Sequence, residues 1–211
     1  IYESVLEMRK GETAPLVEAE VGRGTDVQVI LDDALIAAME EVGNLFADGT
    51  YFVPEMLMAA MEMKAGLEII RPILTASGVP PRGTIVTGTV RGDVHDIGKN
   101  LYGMMMEGAG YKVVDIGVRI TAEEFIDALE EHEAEILGMS AMLTTTMPYM
   151  KIVIDEMVRR GIRDDYTVLV GGAPLNDQFG EFVGADAYCM DAGVGVLAAN
   201  AALSETSIRA N

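Results

Sequence analysis

The chain has 211 residues, half of them hydrophobic, so it can bury a substantial core in one large domain or two small ones. Its 15 Lys and Arg against 34 Asp and Glu give a formal net charge of −19. This excludes binding to a nucleic-acid backbone as the default, because such binding needs a basic surface. The single cysteine, Cys189, excludes a disulfide framework and a cysteine-built zinc or iron–sulfur site. No apolar run approaches the roughly 20 residues of a membrane span, so we expect a soluble, cytoplasmic protein without a membrane partner.

The first third of the chain predicts helices. Apolar residues recur at helical spacing from Leu35 to Phe46 and again from Met56 to Ile70, which predicts two amphipathic helices. Residues 2–10 and 12–22 predict two shorter helices, so this part reads as a four-helix bundle. Pro72 and the stretch Ser77–Pro81 predict a helix end and a linker.

The rest of the chain alternates between β-rich and helical segments. The predicted strands are Thr84–Val90, Lys112–Ile116, Ile136–Ser140, Thr167–Val170 and Ala187–Met190, and the predicted helices lie near residues 99–109, 121–132, 147–160, 175–182 and 192–203. Such alternation predicts an α/β domain with a flavodoxin-like, five-stranded parallel sheet and helices on both faces. We therefore expect two domains, residues 1–78 and 82–211. Ligands of such sheets bind beyond the carboxyl ends of the strands, so the loops there are the candidate site.

Three of those loops carry unusual residues. Gly92–Asn100 follows the first strand, Ser140–Thr146 follows the third, and Gly171–Pro174 follows the fourth. A histidine with a carboxylate two residues earlier is typical of a metal ligand and the group that orients it. Paired glycines let the backbone approach something bulky and flat.

Other interpretations of the first loop fit less well. A P-loop needs glycine where Asp93 stands and Ser or Thr where Asn100 stands. A histidine-rich phosphohydrolase site needs several histidines, but the chain has one other, His132. A serine-hydrolase elbow around Ser140 is incomplete. Taken alone, His95 would more often be a structural or surface histidine than a ligand.

The three loops together resemble a known signature. Asp93-x-His95-x-x-Gly98, Ser140-x-Met142 and Gly171-Gly172 are similar to the cobalamin-binding pattern Asp-x-His-x-x-Gly, Ser-x-Leu and Gly-Gly. The run from Gly88 to Asn100 resembles the matching loop of cobalamin-dependent methionine synthase and of the corrinoid proteins of methyltransferase systems. Val42-Gly43-x-x-Phe46 and Phe52-Val53-Pro54-Glu55 are similar to the helical cap of those proteins. The resemblance implies a helical cap over residues 1–78 and a Rossmann-like cobalamin-binding domain over 82–211.

The resemblance also implies roles for individual residues. His95 would be the lower axial ligand of the cobalt of cobalamin or a related corrinoid, in the base-off/His-on form. Asp93 would hold the other imidazole nitrogen, and Thr146 would complete the relay where the family has serine. Met142 stands where the pattern has leucine. The slot for the displaced nucleotide base would be lined by Gly98, Ser140, Thr144, Gly171 and Gly172. Further cofactor-binding residues would be Val94, Asp96, Ile97, Leu143 and Ala173, with Phe52 and neighbouring Met56 or Ala59 over the upper face.

The function implied is that of a corrinoid methyl carrier without catalytic residues of its own. It would accept a methyl group on Co(I) from a substrate-specific methyltransferase and present methyl-Co(III) to a second methyltransferase with a tetrahydrofolate or coenzyme M acceptor, aided by a reductive activase. Methylamines, methanol, betaines and methoxylated aromatics all stay open as methyl donors. The alternative is a cobalamin-dependent sensor, which would normally carry an output module. An adenosylcobalamin mutase subunit shares the ligand loop but fits the helical cap poorly.

Overall fold

The computed structural model describes residues 1–77 and 80–209, which form two compact units. The helical unit contains the chain up to Arg82 together with Met104–Tyr111. The sheet unit contains Gly83–Gly103 and the chain from Lys112 onward. Gly78 and Val79 of the predicted linker lie outside the described residues. Residues 104–111 join the helical unit although they lie within the second predicted domain.

The helical unit is built mainly from four helical segments before Arg82. The first two are α1 (Tyr2–Leu6) and α2 (Thr13–Gly22). The third is continuous and consists of α3 (Val27–Val29), a π-helical stretch (Ile30–Ile36) and α4 (Ala37–Ala47). The fourth is α5 (Val53–Ser77). The apolar residues predicted to face inward are buried, among them Leu35, Val42, Met63 and Ile70. The helical N-terminal region is therefore confirmed.

Two details of the helical prediction are wrong. The first helix ends at Leu6 instead of near residue 10, and Pro72 lies inside α5, which continues to Ser77. An internal proline removes one backbone hydrogen bond and costs about 3 kcal/mol. Ile70 and Leu74, on either side of Pro72, are both buried. Their burial offsets that cost. The position of a proline in the sequence does not reveal such burial.

The sheet unit contains five parallel strands in the order β2-β1-β3-β4-β5, which confirms the flavodoxin-like fold. The strands are β1 (Thr84–Thr89), β2 (Lys112–Asp115), β3 (Ile136–Ser140), β4 (Thr167–Gly171) and β5 (Ala187–Cys189). The helices are α6 (Ile97–Gly108), α7 (Ala122–Glu131), α8 (Tyr149–Arg160), α9 (Asp177–Val183) and α10 (Ala192–Arg209). None of the described helices is long and apolar enough to cross a membrane. The chain order reverses between β1 and β3, so the crevice beyond these strands is where a ligand is expected.

The two faces of the sheet differ in chemistry. One face carries large apolar side chains, such as Val86, Leu137 and Val170, packed in one core with α7 and α8. On the other face Thr87 of β1 is paired with Gly138 of β3. A Cβ at Gly138 would lie 3.2 Å from the ring of Tyr102 on α6. On this face Ile85 is apolar, but the next positions toward the carboxyl end of the sheet, Thr87 and its partner Gly138, are polar or small.

Candidate functional site

The loop after β1 directs the carboxylate of Asp93 toward the interior of the protein. Gly92 has a φ of +88°, in the left-handed region that glycine adopts without strain. The Asp93 N–H then donates to the Val90 carbonyl over 3.1 Å. As a result, the Asp93 side chain is fully buried at the end of the strand.

Both oxygens of the Asp93 carboxylate accept hydrogen bonds. Oδ1 lies 3.0 Å from the His95 backbone nitrogen and 2.7 Å from Nδ1 of its ring. Oδ2 lies 2.8 Å from the Met142 nitrogen and 2.6 Å from the Thr146 hydroxyl oxygen. The β1 and β3 loops are thus joined through a single side chain.

These bonds decide the charge of Asp93. Burial alone raises the pKa of a carboxyl group. Here the hydrogen bonds from the Thr146 hydroxyl, the Met142 and His95 amides and the His95 ring outweigh burial and hold the pKa of Asp93 well below its ordinary value. The group is therefore a carboxylate that can only accept hydrogen bonds.

The ionised carboxylate fixes the tautomer of His95. Since Asp93 has no proton to give, Nδ1 of the ring donates across the 2.7 Å contact. In the neutral form of the ring the lone pair is therefore on Nε2, and the side chain is 45% exposed. The Thr89 hydroxyl also donates to the His95 carbonyl over 2.9 Å. The arrangement presents an imidazole whose orientation is fixed and whose Nε2 faces away from Asp93, as a metal ligand requires.

The loops after β3 and β4 meet at the same edge of the sheet as the loop after β1. The Ser140 carbonyl accepts from the Val90 N–H over 3.0 Å, and the Gly171 carbonyl accepts from the Ala141 N–H over 3.2 Å. Gly172 has a φ of +137°, and a Cβ there would lie 1.8 Å from the Ala141 carbonyl oxygen. Only glycine fits at this position, so the second glycine of the pair is required by close backbone packing.

Exposed apolar side chains lie next to the histidine in the two loops. Val94 and Ile97 flank His95 in the chain, and Met142 and Leu143 follow β3. All four are exposed, Ile97 by 85%. Exposed apolar residues that come together in this way typically mark a binding surface. We call these four residues the apolar rim.

The remaining residues predicted for the site lie in the same loops. The Asp96 carbonyl accepts from the Asn100 N–H over 2.8 Å and so begins α6. Gly98, Thr144 and Ala173 are exposed. A Cβ at Gly98 would meet no protein atom within 4 Å. The space beside Gly98 is therefore open to a ligand.

One residue that sequence reasoning missed is Thr87. Its hydroxyl oxygen is buried and has no hydrogen-bond partner among the described residues. Such a group costs free energy unless something bonds to it. A polar residue inside a fully buried strand was the available signal. Because side chains alternate along a strand, Thr87 and Thr89 share a face, and both point away from the large apolar core.

Phe52 belongs to the helical unit and is 63% exposed. The two neighbours predicted to accompany it over a ligand, Met56 and Ala59, are instead completely buried. Their burial shows that they pack inside the protein, and a place for either of them beside a ligand stays a prediction. Three other residues of α5, Leu57, Met58 and Met61, are exposed.

Comparison with known proteins gives matches over nearly the whole chain. Two family models, both described as a B12 binding domain, match residues 83–201 and 1–71. A corrinoid protein of Desulfitobacterium hafniense is 37% identical over 208 residues, covering 97% of this chain and 96% of that protein. A dimethylamine corrinoid protein of Methanosarcina acetivorans is 36% identical over 202 residues, covering 95% of this chain and 94% of that protein.

A solved structure agrees with these matches. It is that of the methanol:cobalamin methyltransferase complex MtaBC of Methanosarcina barkeri. The similarity has a TM-score of 0.82 at 30% identity, and it covers 96% of this chain and 78% of the matched chain. The similarity in fold therefore agrees with the similarity in sequence.

Proposed function

This chain belongs to the cobalamin-binding corrinoid proteins of methyltransferase systems, and from that premise we propose that it is a methyl carrier. It accepts a methyl group from a substrate-specific methyltransferase and presents it to a second methyltransferase. The observation that carries the proposal is the Nδ1–Asp93 contact of 2.7 Å, which leaves Nε2 of an exposed histidine free to bind a metal.

A bound corrinoid would supply a cobalt centre that takes up a methyl group and gives it up again. The chain contributes the lower ligand, His95. Asp93 keeps the proton on Nδ1, and the Thr146 hydroxyl holds the second oxygen of Asp93 at 2.6 Å. These contacts fix the ring plane and the tautomer of the neutral ring, so that Nε2 is the nitrogen that would bind the metal.

Histidine suits a ligand that must bind at one stage of a cycle and leave at another. Its unperturbed pKa of about 6.5 allows the ring to act as a neutral ligand or to depart with a proton. The Asp93 carboxylate beside it supports either state, since it accepts a hydrogen bond from Nδ1 in both. A lysine would be charged near neutral pH and would hold no lone pair for the metal.

The face of the sheet toward α6 supports a slot for the nucleotide tail of a corrinoid. Thr87 offers a buried hydroxyl that has no partner among the described residues. Its neighbour in the sheet, Gly138, contributes no side-chain bulk. Gly98 leaves open space at the start of α6. These three residues fit a ligand with a polar, flat extension better than they fit a closed core.

The apolar rim suits the macrocycle itself. Val94, Ile97, Met142 and Leu143 present apolar surface to solvent around an exposed imidazole. Covering this surface with a large ring removes it from water, at about 25 cal/mol per Å² of apolar area. The rim residues therefore contribute affinity and keep water away from the metal-binding face.

The methyl donor we propose is a methylated amine or methanol. One relative is named for dimethylamine, and the matched solved structure is a complex for methanol. The acceptor we propose is a pterin such as tetrahydrofolate or a thiol such as coenzyme M, and a reductive activase would restore the carrier. The net charge of −19 favours partner surfaces of complementary charge.

The full chain reconstituted with cobalamin tests the proposal. After reduction, titration with isotope-labelled methyl iodide should leave one labelled methyl group per bound corrinoid on the protein. Adding a pterin- or thiol-dependent methyltransferase with its acceptor should then remove the label. A protein that binds cobalamin but neither takes up nor releases the label would contradict the carrier function and favour a sensor.

A further inference from the structure

Lys99, the third residue of α6, is buried, with its side chain only 3% exposed. Its Nζ lies 2.5 Å from Oδ2 of Asp115 and 2.7 Å from Oδ1 of Asn100. Asp115 is the last residue of β2, so the ion pair joins the start of α6 to the neighbouring strand. The cobalamin-binding pattern assigns this pair no role.

The position of Lys99 is electrostatically unfavourable by itself. The first turn of a helix carries positive partial charge, which disfavours a cation there. Burial adds a desolvation cost. A lysine at this place is therefore tolerated because Asp115 compensates it, and the pair depends on both of its partners.

Among the first four residues of α6, Lys99 is the buried one. Ile97, Gly98 and Asn100 are exposed, and Ile97 in particular adds no apolar anchor. The ion pair thus attaches this turn to the sheet. His95 lies two residues before α6, and its loop is fixed at the other end by the four hydrogen bonds of Asp93.

We propose that the Lys99–Asp115 ion pair is a positioning device that holds the start of α6 against β2 and so keeps the His95 loop in one orientation. Lys99 acts through the loop and not on the ligand. The binding of a corrinoid by the oriented histidine rests on the proposed function. The effect of the ion pair on the orientation of the loop is independent of that function.

The test compares Lys99→Met and Asp115→Asn with the double variant in the full chain. Amide hydrogen exchange of the apoprotein should be about tenfold faster at His95 and Asn100 in each variant. The affinity for cobinamide, a corrinoid without the nucleotide tail, should fall by about tenfold. The double variant should lose no more than either single variant, because all three remove the same interaction. Effects that add, or exchange and affinity equal to wild type, would overturn the proposal.

Arg163→Met is the matched control. Arg163 is 15% exposed and pairs with Asp186 over 2.9 Å next to the first residue of β5, at the opposite end of the parallel sheet. This variant should lower overall stability but leave exchange at His95 and cobinamide affinity unchanged. Equal changes at His95 in Arg163→Met would mean a general loss of stability and would also overturn the proposal. If the wild-type protein binds no corrinoid, the proposed function fails, while the exchange data still decide the role of Lys99.

Discussion

The Thr146 hydroxyl oxygen lies 2.6 Å from Oδ2 of Asp93, the carboxylate oxygen that His95 does not use. Thr146 follows β3 and His95 follows β1, so the carboxylate connects two loops that are distant in the chain. The Thr146 hydroxyl also lies 3.0 Å from the Leu143 carbonyl oxygen. Its single proton goes to the carboxylate, because hydrogen bonds to a charged acceptor are stronger.

Replacing Thr146 with valine should raise the pKa of Asp93 toward its ordinary value, because one of the bonds that lowers it is lost. The buried carboxylate loses a donor, so the free energy of unfolding should drop by about 1–3 kcal/mol. Carboxyl NMR and urea unfolding of the apoprotein measure the two effects. Thr146→Ser, which keeps the hydroxyl, should lose about 1 kcal/mol or less. An unshifted Asp93 in Thr146→Val would show that the hydroxyl is unimportant.

The lowered pKa of Asp93 predicts a pH dependence of stability. Ionised Asp93 favours the folded state, so its contribution is present above its ordinary pKa of about 3.9 and is lost as the pH falls below that value. The difference in free energy of unfolding between the wild type and Asp93→Asn should therefore be constant above about pH 5 and should shrink steadily as the pH falls below about 4. Urea unfolding of both proteins at several pH values checks this. Asp164→Asn, at an exposed carboxyl, is the control. A constant gap between wild type and Asp93→Asn would count against the prediction.

His95→Ala should still bind cobalamin through the nucleotide slot and the apolar rim but lose coordination by histidine. The reason is that the slot and rim residues lie on other parts of the loops and do not depend on the imidazole. The visible spectrum of the reconstituted variant should change to that of a corrinoid without a histidine ligand. A spectrum identical to that of the wild-type holoprotein would mean that His95 is not the ligand.

Gly98→Ala should separate ligand binding from stability. No protein atom lies within 4 Å of the added Cβ, and alanine is favoured over glycine in helices by up to about 1 kcal/mol. The thermal midpoint should stay the same or rise, whereas cobalamin affinity should fall because the methyl group enters the open space. Gly22→Ala at the end of α2, where the added Cβ also meets nothing within 4 Å, should likewise keep or raise the thermal midpoint but leave cobalamin affinity unchanged. Undiminished affinity in Gly98→Ala would place the ligand elsewhere.

Thr87→Val tests the buried hydroxyl. Removing a polar group that has no partner among the described residues should leave the apoprotein as stable as wild type or more so. Cobalamin affinity should fall by about 3–10-fold, the worth of one hydrogen bond. Cobinamide, which has no nucleotide tail, should bind the variant and the wild type equally and so serves as the control. Equal losses for both ligands would contradict a contact between Thr87 and the tail.

The strand pattern of the second part of the chain was predictable because it is local. A buried parallel strand is a short apolar run, and β3 begins and ends where the sequence predicts it. The pairing of Asp93 with His95 is also local, since the residues are two apart and the Asp93 carboxylate bonds both the backbone and the ring of His95. In the helical unit the same reasoning placed the α5 core but misjudged Pro72, because packing of Ile70 and Leu74 outweighed a local rule.

The sequence by itself determined the order of strands and helices and the loops in which chemistry is expected, because periodicity and motif spacing reflect local backbone geometry. Only the tertiary structure decided that the Met142 amide completes the hydrogen bonds of Asp93, that Lys99 is buried against Asp115, and that Thr87 has a buried hydroxyl without a partner among the described residues. It also decided that Met56 and Ala59 face the interior. Burial and hydrogen bonding depend on segments that are distant in the chain, so no local pattern encodes them.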